Sequence, residues 1–323
     1  MVRQRDFLIG LVVLAVGVIL TGTALDIWPG GLGDILRRAL PAVLIALGLG
    51  TFLRGRIPFS SIVALAITAF LVVNIAVVGF SSRSGQQRED QTLPVDQQIN
   101  ESVTLLTIDV GVLSTDVNIA LDTSAGRRVT GEFVGSRESA FDVDYTDDGT
   151  GRATMTLRET QPNPFPNLDD IGRGNLTLTL PAGVGIDLAL TGQQAAATLN
   201  LDQADLERLN VNLTRGNALI TLPDYQPRSP SQAATDAPNL PPLLGTLQVL
   251  DGPLTVSVPE GVGARFELNL FDSGVERDFD PTVFNELRQP PAIESRNIDT
   301  ATVKLRYALV VPRGQIRINQ IVR

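Results

Sequence analysis

The chain has 323 residues and a formal net charge of −9, and it contains no cysteine and no histidine. Their absence excludes disulfide bonds, thiolate or histidine metal sites and histidine general bases, which argues against most hydrolases and metalloenzymes. Hydrophobic residues make up 43% of the chain and aromatic residues only 5%, a composition that favours bilayer helices and thin layers of strands over a large aromatic core.

Three apolar segments near the N-terminus predict transmembrane helices at about residues 7–25, 35–53 and 59–80. An apolar helix of about 20 residues spans the hydrocarbon core of a bilayer. Two further apolar segments follow the first at once, which argues against a cleaved signal peptide. Asn74, within the third segment, is expected to join helices rather than bind a ligand. We therefore predict a multi-pass region over residues 1–80, with the lipid bilayer as its partner.

The charges around these segments leave the orientation of the region open. Eight arginines flank the three predicted spans and divide four and four between the two sides of the membrane, so the positive-inside rule gives no clear choice. Arg3 and Arg5 flank the first span, and Arg54 and Arg56 lie in the tightest loop, which together favour a cytoplasmic N-terminus. Three spans would then place the C-terminal domain outside the cytoplasm.

The membrane segments also carry a family resemblance. Glycine-containing apolar helices with a Trp-Pro between them, IGLVVLAVGVIL at 9–20 and IWPGGLGDILRRALPAVLIALGLG at 27–50, resemble the N-terminal region of LiaI/LiaF-like bacterial envelope-stress proteins. This resemblance implies a multi-pass protein of the bacterial cell membrane.

A polar stretch at residues 81–100 predicts a linker between the membrane region and a C-terminal domain at 101–323. That domain holds 29 acidic and 18 basic residues, a net charge of −11, whereas the rest of the chain is +2. An acidic surface repels phosphate backbones, so we expect no nucleic-acid partner.

A repeated motif organises the C-terminal domain. Its copies are GNLTLTLP at 174–181, GNALITLP at 216–223 and GPLTVSVP at 252–259. Each alternates apolar and polar residues as a half-buried strand does, and each stops at a proline that cannot donate a hydrogen bond to a sheet. We predict that these strands are equivalent. Their closing prolines should then lie near one edge, and Val184 and Val262 should have equivalent environments.

The same alternation recurs through the domain. It predicts further strands at 102–110, 116–121, 141–146, 152–158, 209–213, 303–311 and 315–319. Repeated strand–turn units must stack to bury their apolar faces, so a β-solenoid or a rolled β-sandwich is expected. Gly174, Gly216 and Gly252 are predicted at corners, where a side chain would crowd the turn. The predicted fold is therefore N-terminal all-α transmembrane helices followed by an all-β, solenoid-like domain.

A second resemblance covers roughly residues 101–270. A strand ending in Leu-Pro, a following Gly-Val and the run LERLNVNLTRGNALITLP at 206–223 are similar to the toast-rack type of β-solenoid domain that follows LiaF-like membrane regions. The resemblance implies a membrane regulator or an adhesin-like structural module, and not an enzyme.

Two acidic clusters and one short motif are candidate metal-binding or catalytic sites. The clusters are Asp142, Asp144, Asp147 and Asp148, and Asp272, Glu276, Asp278 and Asp280. Carboxylates near a glycine turn suit calcium, but the spacing is not that of an EF-hand, so solvated turns are favoured and calcium stays an open alternative. ALDTSAG at 120–126 differs from the aspartic-protease motif Asp-Thr/Ser-Gly and is interpreted as a turn at the end of a strand.

The sequence therefore predicts no catalytic, cofactor-binding or metal-binding residue. Lys304, the sole lysine, offers little Schiff-base or phosphate-loop chemistry. Two functions remain. The first is a non-enzymatic regulatory or sensory protein of the cell envelope whose partner is a membrane signalling protein such as a histidine kinase. The second is a structural or adhesin-like surface module. Self-association through the end strands is left open.

Overall fold

The computed structural model describes residues 85–124, 126–162, 172–228, 240–269 and 275–322, together with Ala66, Ala69, Phe70, Val73 and Asn74. The chain forms two compact units. The first comprises Met1–Arg88, Ser136–Glu138 and Gln161–Arg173, and the second comprises Glu89–Gly135, Ser139–Thr160 and Gly174–Arg323.

The predicted segments at 7–25, 35–53 and 59–80 lie outside the described residues, apart from five helical residues in the third. Within that segment, the Asn74 side-chain amide donates to the Phe70 carbonyl at 2.7 Å, one helical turn away. In the first unit, Gln87 also forms a parallel bridge with Arg173.

None of the helical residues that the structure describes belongs to a helix long and apolar enough to cross a membrane.

From residue 85 onward, the described residues form strands and no α-helix. The strands are β1 (Gln91–Gln98), β2 (Leu105–Val112), β3 (Thr115–Leu121), β4 (Arg128–Gly135), β5 (Ala140–Asp147), β6 (Arg152–Thr160), β7 (Gly174–Leu180), β8 (Gly185–Asn200), β9 (Leu206–Thr221), β10 (Leu243–Val249), β11 (Leu254–Pro259), β12 (Gly263–Leu268), β13 (Glu276–Phe279), β14 (Phe284–Arg288), β15 (Pro291–Ser295), β16 (Lys304–Val310) and β17 (Gln315–Ile321).

Hydrogen bonding arranges the strands as two ladders, here called sheet A and sheet B. Sheet A runs β1, β4, β7, β3, the second half of β8, the second half of β9, β11, β17 and β13. Sheet B runs β5, β6, β2, the first half of β8, the first half of β9, β10, β16, β12, β15 and β14. In sheet A the β1–β4 and β4–β7 pairs are antiparallel and the remaining pairs are parallel. In sheet B the pairs are parallel in the middle and antiparallel at both ends. The chain passes repeatedly from one sheet to the other, and the all-β prediction for the C-terminal domain is confirmed.

Each coil turns a corner between the sheets, and β8 and β9 cross it without a break. Ala195 pairs with Gly216 at this corner. A Cβ on Gly216 would lie 1.9 Å from the Ala195 carbonyl oxygen, and one on Gly252 would lie 1.7 Å from the Gly216 carbonyl oxygen. The backbones approach so closely that no side chain fits. Gly174 begins β7 just after the corner, so the prediction of corner glycines is confirmed.

The corner between β2 and β3 is held by a buried carboxylate instead. Glu159 is 4% exposed. It accepts hydrogen bonds from the Leu113 and Ser114 backbone N–H groups at 2.7 and 3.1 Å and from the Ser139 hydroxyl at 2.8 Å. Three donors compensate the desolvation of the charge, so this residue fixes the corner.

Alternate side chains of both sheets form one hydrophobic core. In sheet A one inward row comprises Leu178, Ile119, Leu199, Ile220, Val256 and Ile318. Every member of the row is at most 1% exposed. The core is thus a stack of aliphatic rows with few aromatic rings, as the composition predicted.

The repeated motif occupies one sheet. Its three copies give β7, the second half of β9, and β11, and all three strands lie in sheet A. Thr221 pairs with Ser257, so Pro223 and Pro259 come two residues later in register. Along the ladder, Leu180 pairs with Leu121, which places Pro181 at the same edge. Val184 and Val262 are each 1% exposed and each precedes the first strand of a coil. Both predictions are confirmed.

Two features differ from the sequence interpretation. The linker prediction for 81–100 is corrected, because β1 falls inside it and pairs with β4 along its whole length. Val95 is the one buried residue of that strand, so its alternation is weak. The coils also do not stack in chain order: β2–β3 lies between β6–β7 and β8, and β16–β17 lies between β10–β11 and β12–β13.

Candidate functional surfaces

The outer face of sheet A carries two aligned rows of uncharged side chains, which are polar apart from Leu219 and Ala120. One row is Thr177, Asn118, Thr198, Leu219 and Thr255, and the next is Thr179, Ala120, Asn200, Thr221 and Ser257. We call these ten residues the threonine–asparagine face. They follow from the same alternation that builds the core, since every second residue of each strand points outward.

The threonine–asparagine face bears no charge within a strongly acidic domain. It spans five strands at about 4.8 Å spacing, roughly 19 Å across, and its rows lie about 6.7 Å apart along the strands. Thr177, Asn118, Thr198 and Asn200 are exposed. Charged residues flank one row: Glu132 pairs with Thr177, and Arg317, bound to Asp278 at 2.8 Å, pairs with Thr255. The surface is therefore a neutral array of hydroxyl and amide groups between charged borders, interrupted by Ala120 and by the exposed side chain of Leu219, with Ser257 buried at one end.

The outer face of sheet B is charged instead. Arg158 on β6 forms an ion pair with Asp109 on the adjacent strand β2, and the Arg208 guanidinium lies 3.9 Å from the Asp187 carboxylate. Burial raises the pKa of the Asp187 carboxyl, and Arg208 opposes that shift. The two sheets thus present chemically different surfaces, one neutral and one ionic.

The segment after β9, which here means the described residues 222–228 and 240–242, covers part of sheet B. The Tyr225 hydroxyl donates to the Glu207 carboxylate at 2.7 Å, and the Arg228 backbone N–H donates to the same carboxylate at 2.9 Å. Burial, followed by the hydrogen bond to Glu207, raises the pKa of Tyr225. The Gln226 side-chain oxygen accepts from the Lys304 backbone N–H at 2.9 Å. These bonds anchor the segment over the sheet.

A buried ionic network lies at the C-terminal part of the same face. Arg265 is flanked in register by Glu294 on β15 and Arg306 on β16. Its Nη1 donates to Glu294 at 2.5 Å, while Arg306 donates to Glu267 at 2.8 Å and to the Pro241 carbonyl at 3.2 Å. The side chains of Arg265 and Arg306 are 6% and 9% exposed. Two buried cations therefore face two carboxylates.

One donor of this network has no acceptor. Arg265 Nε is buried without a hydrogen-bond partner in the described chain, and it lies 4.0 Å from a carboxylate oxygen of Glu267. An unpaired buried donor costs about 1–3 kcal/mol. Arg265 lines a cleft of about 490 Å³ between the segment after β9 and the turn before β16.

The first acidic cluster serves turns and a sheet edge. Asp142 and Asp144 are exposed on β5, which among the described strands pairs only with β6, and charges there discourage pairing with another chain. Asp147 accepts from the Gly149 backbone N–H at 2.9 Å. Hydrogen bonds to Asp148, first from the Thr150 backbone N–H and then from its hydroxyl, lower the pKa of that carboxyl.

The second cluster and the short motif are likewise structural. Asp272 lies outside the described residues, and Asp278 is paired with Arg317. Hydrogen bonds from the Thr282 hydroxyl and backbone N–H lower the pKa of Asp280. Asp122 follows β3 and accepts from the Ser124 hydroxyl and backbone N–H, which lowers its pKa. The interpretation of ALDTSAG as a turn at a strand end is confirmed.

Among the residues that the structure describes, no group of three or more His, Cys, Asp or Glu side chains is arranged to hold a metal ion.

The sequence did not single out the threonine–asparagine face or the cleft. The face could have been found, because Thr177, Thr198 and Thr255 occupy outward positions of recognisable strands. The cleft could not have been found from the sequence. Arg265 alternates with buried neighbours as a solvent-facing residue would, and no local pattern shows that residues preceding β10 cover it.

No family model matches the sequence, and no curated protein matches it. Among solved structures, a "putative cell adhesion protein" from Clostridium sporogenes is similar over 72% of this chain and 100% of its own, with a TM-score of 0.53 and 11% identity. A "putative adhesin" from Bacteroides fragilis has the same coverage and 14% identity, but its TM-score of 0.22 is too low to support a shared fold. The first similarity establishes a related β fold at low identity.

Proposed function

We propose that this protein is a non-enzymatic, adhesin-like β-module tethered to the bacterial cell membrane, which acts by contact through its threonine–asparagine face. The three predicted membrane spans would form the tether, with the β-domain outside the cytoplasm. Sheet A would present its neutral face to a partner, while the segment after β9 covers part of sheet B.

The observation that carries this proposal is the neutral, regular array on sheet A. Thr177, Asn118 and Thr198 stand side by side in one row, and the next row repeats the pattern with Asn200 and Thr221. Hydroxyl and amide groups both donate and accept hydrogen bonds. An extended partner with its own hydroxyl groups and no charge, such as a neutral polysaccharide, matches such a surface without charge repulsion. The cell-adhesion description of the structural neighbour agrees with this proposal.

The test is cosedimentation of the full chain, in lipid nanodiscs, with insoluble cellulose and chitin. Thr198→Glu places a carboxylate in the middle of the face, where a covering polymer would have to desolvate it. We expect binding to fall by about tenfold or more, which is about 1.4 kcal/mol. Thr191→Glu makes the same change on the sheet B part of the same strand and should bind like the wild type. Equal binding by both variants, or no binding to either polymer, would contradict the proposal.

A second candidate is a regulator of the envelope-stress response that holds a membrane signalling protein, such as a histidine kinase, in one state. The three predicted spans favour it, because an adhesin needs only one helix as an anchor. Such a regulator shifts an equilibrium only through its differential affinity for the two states of its partner.

The regulatory function has a separate test. If it holds, deletion of the gene alters the transcriptional response to cell-wall or membrane damage, and the change scales with the amount of protein when it is re-expressed. The Thr198→Glu variant should then complement the deletion as the wild type does. Unchanged induction in the deletion strain would leave the adhesin-like module as the better account.

A further inference from the structure

The cleft over sheet B is separate from the threonine–asparagine face and carries its own chemistry. Its lining combines the charged residues Arg265, Glu294 and Lys304 with the apolar residues Leu240, Pro242 and Ile298. Its volume of about 490 Å³ falls within the usual range for small-molecule sites, about 300–1,000 Å³. One wall is the segment after β9, the other is the turn before β16, and the outer surface of sheet B forms the floor.

The floor contains a buried donor that none of the described residues satisfies. Arg265 is 6% exposed at its side chain and uses Nη1 for Glu294. Its Nε has no acceptor among the described residues. The Glu267 oxygen that lies 4.0 Å away already accepts from Arg306. A ligand oxygen that reached this donor would complete the network, and buried polar groups are normally satisfied.

The charges in and beneath the cleft balance one another. Arg265 is paired with Glu294, Arg306 is paired with Glu267, and Lys304 lies beside Asp299, whose carbonyl accepts from the lysine ammonium at 3.2 Å. A charged ligand would add an uncompensated charge to a balanced, partly buried group and would lose hydration in doing so. The balance therefore selects against simple anions and cations.

We propose that this cleft binds one unit of a neutral sugar or a similar uncharged polyol. Sugar oxygens would accept from Arg265 Nε and from Lys304, and sugar hydroxyls would donate to Glu294 and Asp299. The apolar C–H face of the ring would lie against the apolar wall formed by Leu240, Pro241, Pro242 and Ile298. The cleft is thus a small-ligand site independent of the extended contact on sheet A.

Saturation-transfer difference NMR on the full chain in nanodiscs tests this proposal with ligands that share one ring. Glucose and N-acetylglucosamine are neutral, glucuronate is anionic and glucosamine is cationic. We expect transfer to a neutral sugar and at least about tenfold weaker binding of the two charged ones. Tighter binding of a charged probe, or binding of none of the four, would overturn the proposal.

Three variants locate the binding. Thr302→Phe fills the cleft from an exposed position and should abolish transfer, whereas Thr154→Phe, exposed on β6, should not change it. Arg265→Lys keeps the charge but removes the Nε donor, so binding should weaken by about tenfold or more. The melting temperature of each variant separates loss of the site from loss of the fold. Unchanged binding in a folded Thr302→Phe variant would refute the cleft as the site.

The Thr198→Glu variant separates this proposal from the proposed polysaccharide contact. It should leave sugar binding in the cleft intact, so failure of the polysaccharide contact and failure of this site are distinguishable.

Discussion

At the scale of single residues, two aspartates show that a carboxylate can respond to folding in opposite directions. Burial on the outer face of sheet B raises the pKa of Asp187 above its ordinary value of 3.8. Hydrogen bonds in the turn after β5 lower the pKa of Asp148 below that value. By linkage, the two groups must contribute to stability with opposite dependence on pH.

The sign follows from which state holds the proton more tightly. Folded Asp187 binds its proton more tightly than the unfolded chain does, so its contribution is present below the unfolded pKa of 3.8 and is lost as pH rises through the folded value. The Asp187→Asn variant has no ionisable carboxyl at this position, so it does not lose this stabilisation as pH rises. We expect the free energy of unfolding of this variant, relative to wild type, to rise from acid to neutral pH in urea titrations.

Asp148→Asn is the matched comparison with the opposite sign. The contribution of Asp148 is present above 3.8 and is lost as pH falls through the lowered folded value. The relative stability of this variant should therefore fall from acid to neutral pH. The same slope for both variants would contradict the assignment of burial to one carboxyl and hydrogen bonding to the other.

At the scale of elements, the corner between the two sheets is the tightest point of each coil. Gly252 has φ +143°, and an added Cβ would lie 1.7 Å from the Gly216 carbonyl oxygen. That oxygen belongs to the backbone of the next coil, so it cannot move without disturbing the ladder between β9 and β11. Such overpacking stores strain in the native state.

Gly252→Ala should therefore destabilise the domain by about 3 kcal/mol or more. Gly261→Ala isolates the backbone component, because Gly261 has φ +88° but an added Cβ would meet nothing within 4 Å. We expect about 1–2 kcal/mol for that variant. Urea denaturation of both variants measures the difference, and equal losses would mean that the corner has room to adjust.

The elements also show what the sequence could predict. Alternation at 174–181, 216–223 and 252–259 located strands of sheet A, because period two appears wherever one face is buried. It missed β1, where Val95 alone is buried, and it missed the insertion of β16–β17 between earlier coils. Partners of a strand that lie far away in the chain leave no local signal.

At the scale of the whole molecule, the same limit explains the two candidate sites. The threonine–asparagine face depends on strand positions that the alternation of apolar and polar residues predicts, so it could have been predicted from the sequence. The cleft requires the segment after β9, the strand β12 and the turn before β16 to meet. Arg265 and Glu294 are 29 residues apart, and Arg306 and the Pro241 carbonyl are 65 residues apart. Only the tertiary structure brings them together.

The tether is the remaining feature of the whole molecule, and its topology is a sequence prediction that cysteine labelling can test. Because the chain has no cysteine, single substitutions give an unambiguous signal. Gly55 and Ser84, which both lie outside the described residues, are separated by one predicted span. With a cytoplasmic N-terminus, Ser84→Cys should react with a membrane-impermeant maleimide in intact cells, and Gly55→Cys should react only after permeabilisation.

Asn200→Cys, exposed on the threonine–asparagine face, should label like Ser84→Cys. Labelling of Gly55→Cys and Ser84→Cys from the same side would rule out three spans, and an inaccessible Asn200→Cys in intact cells would remove the surface contact on which the adhesin-like function depends.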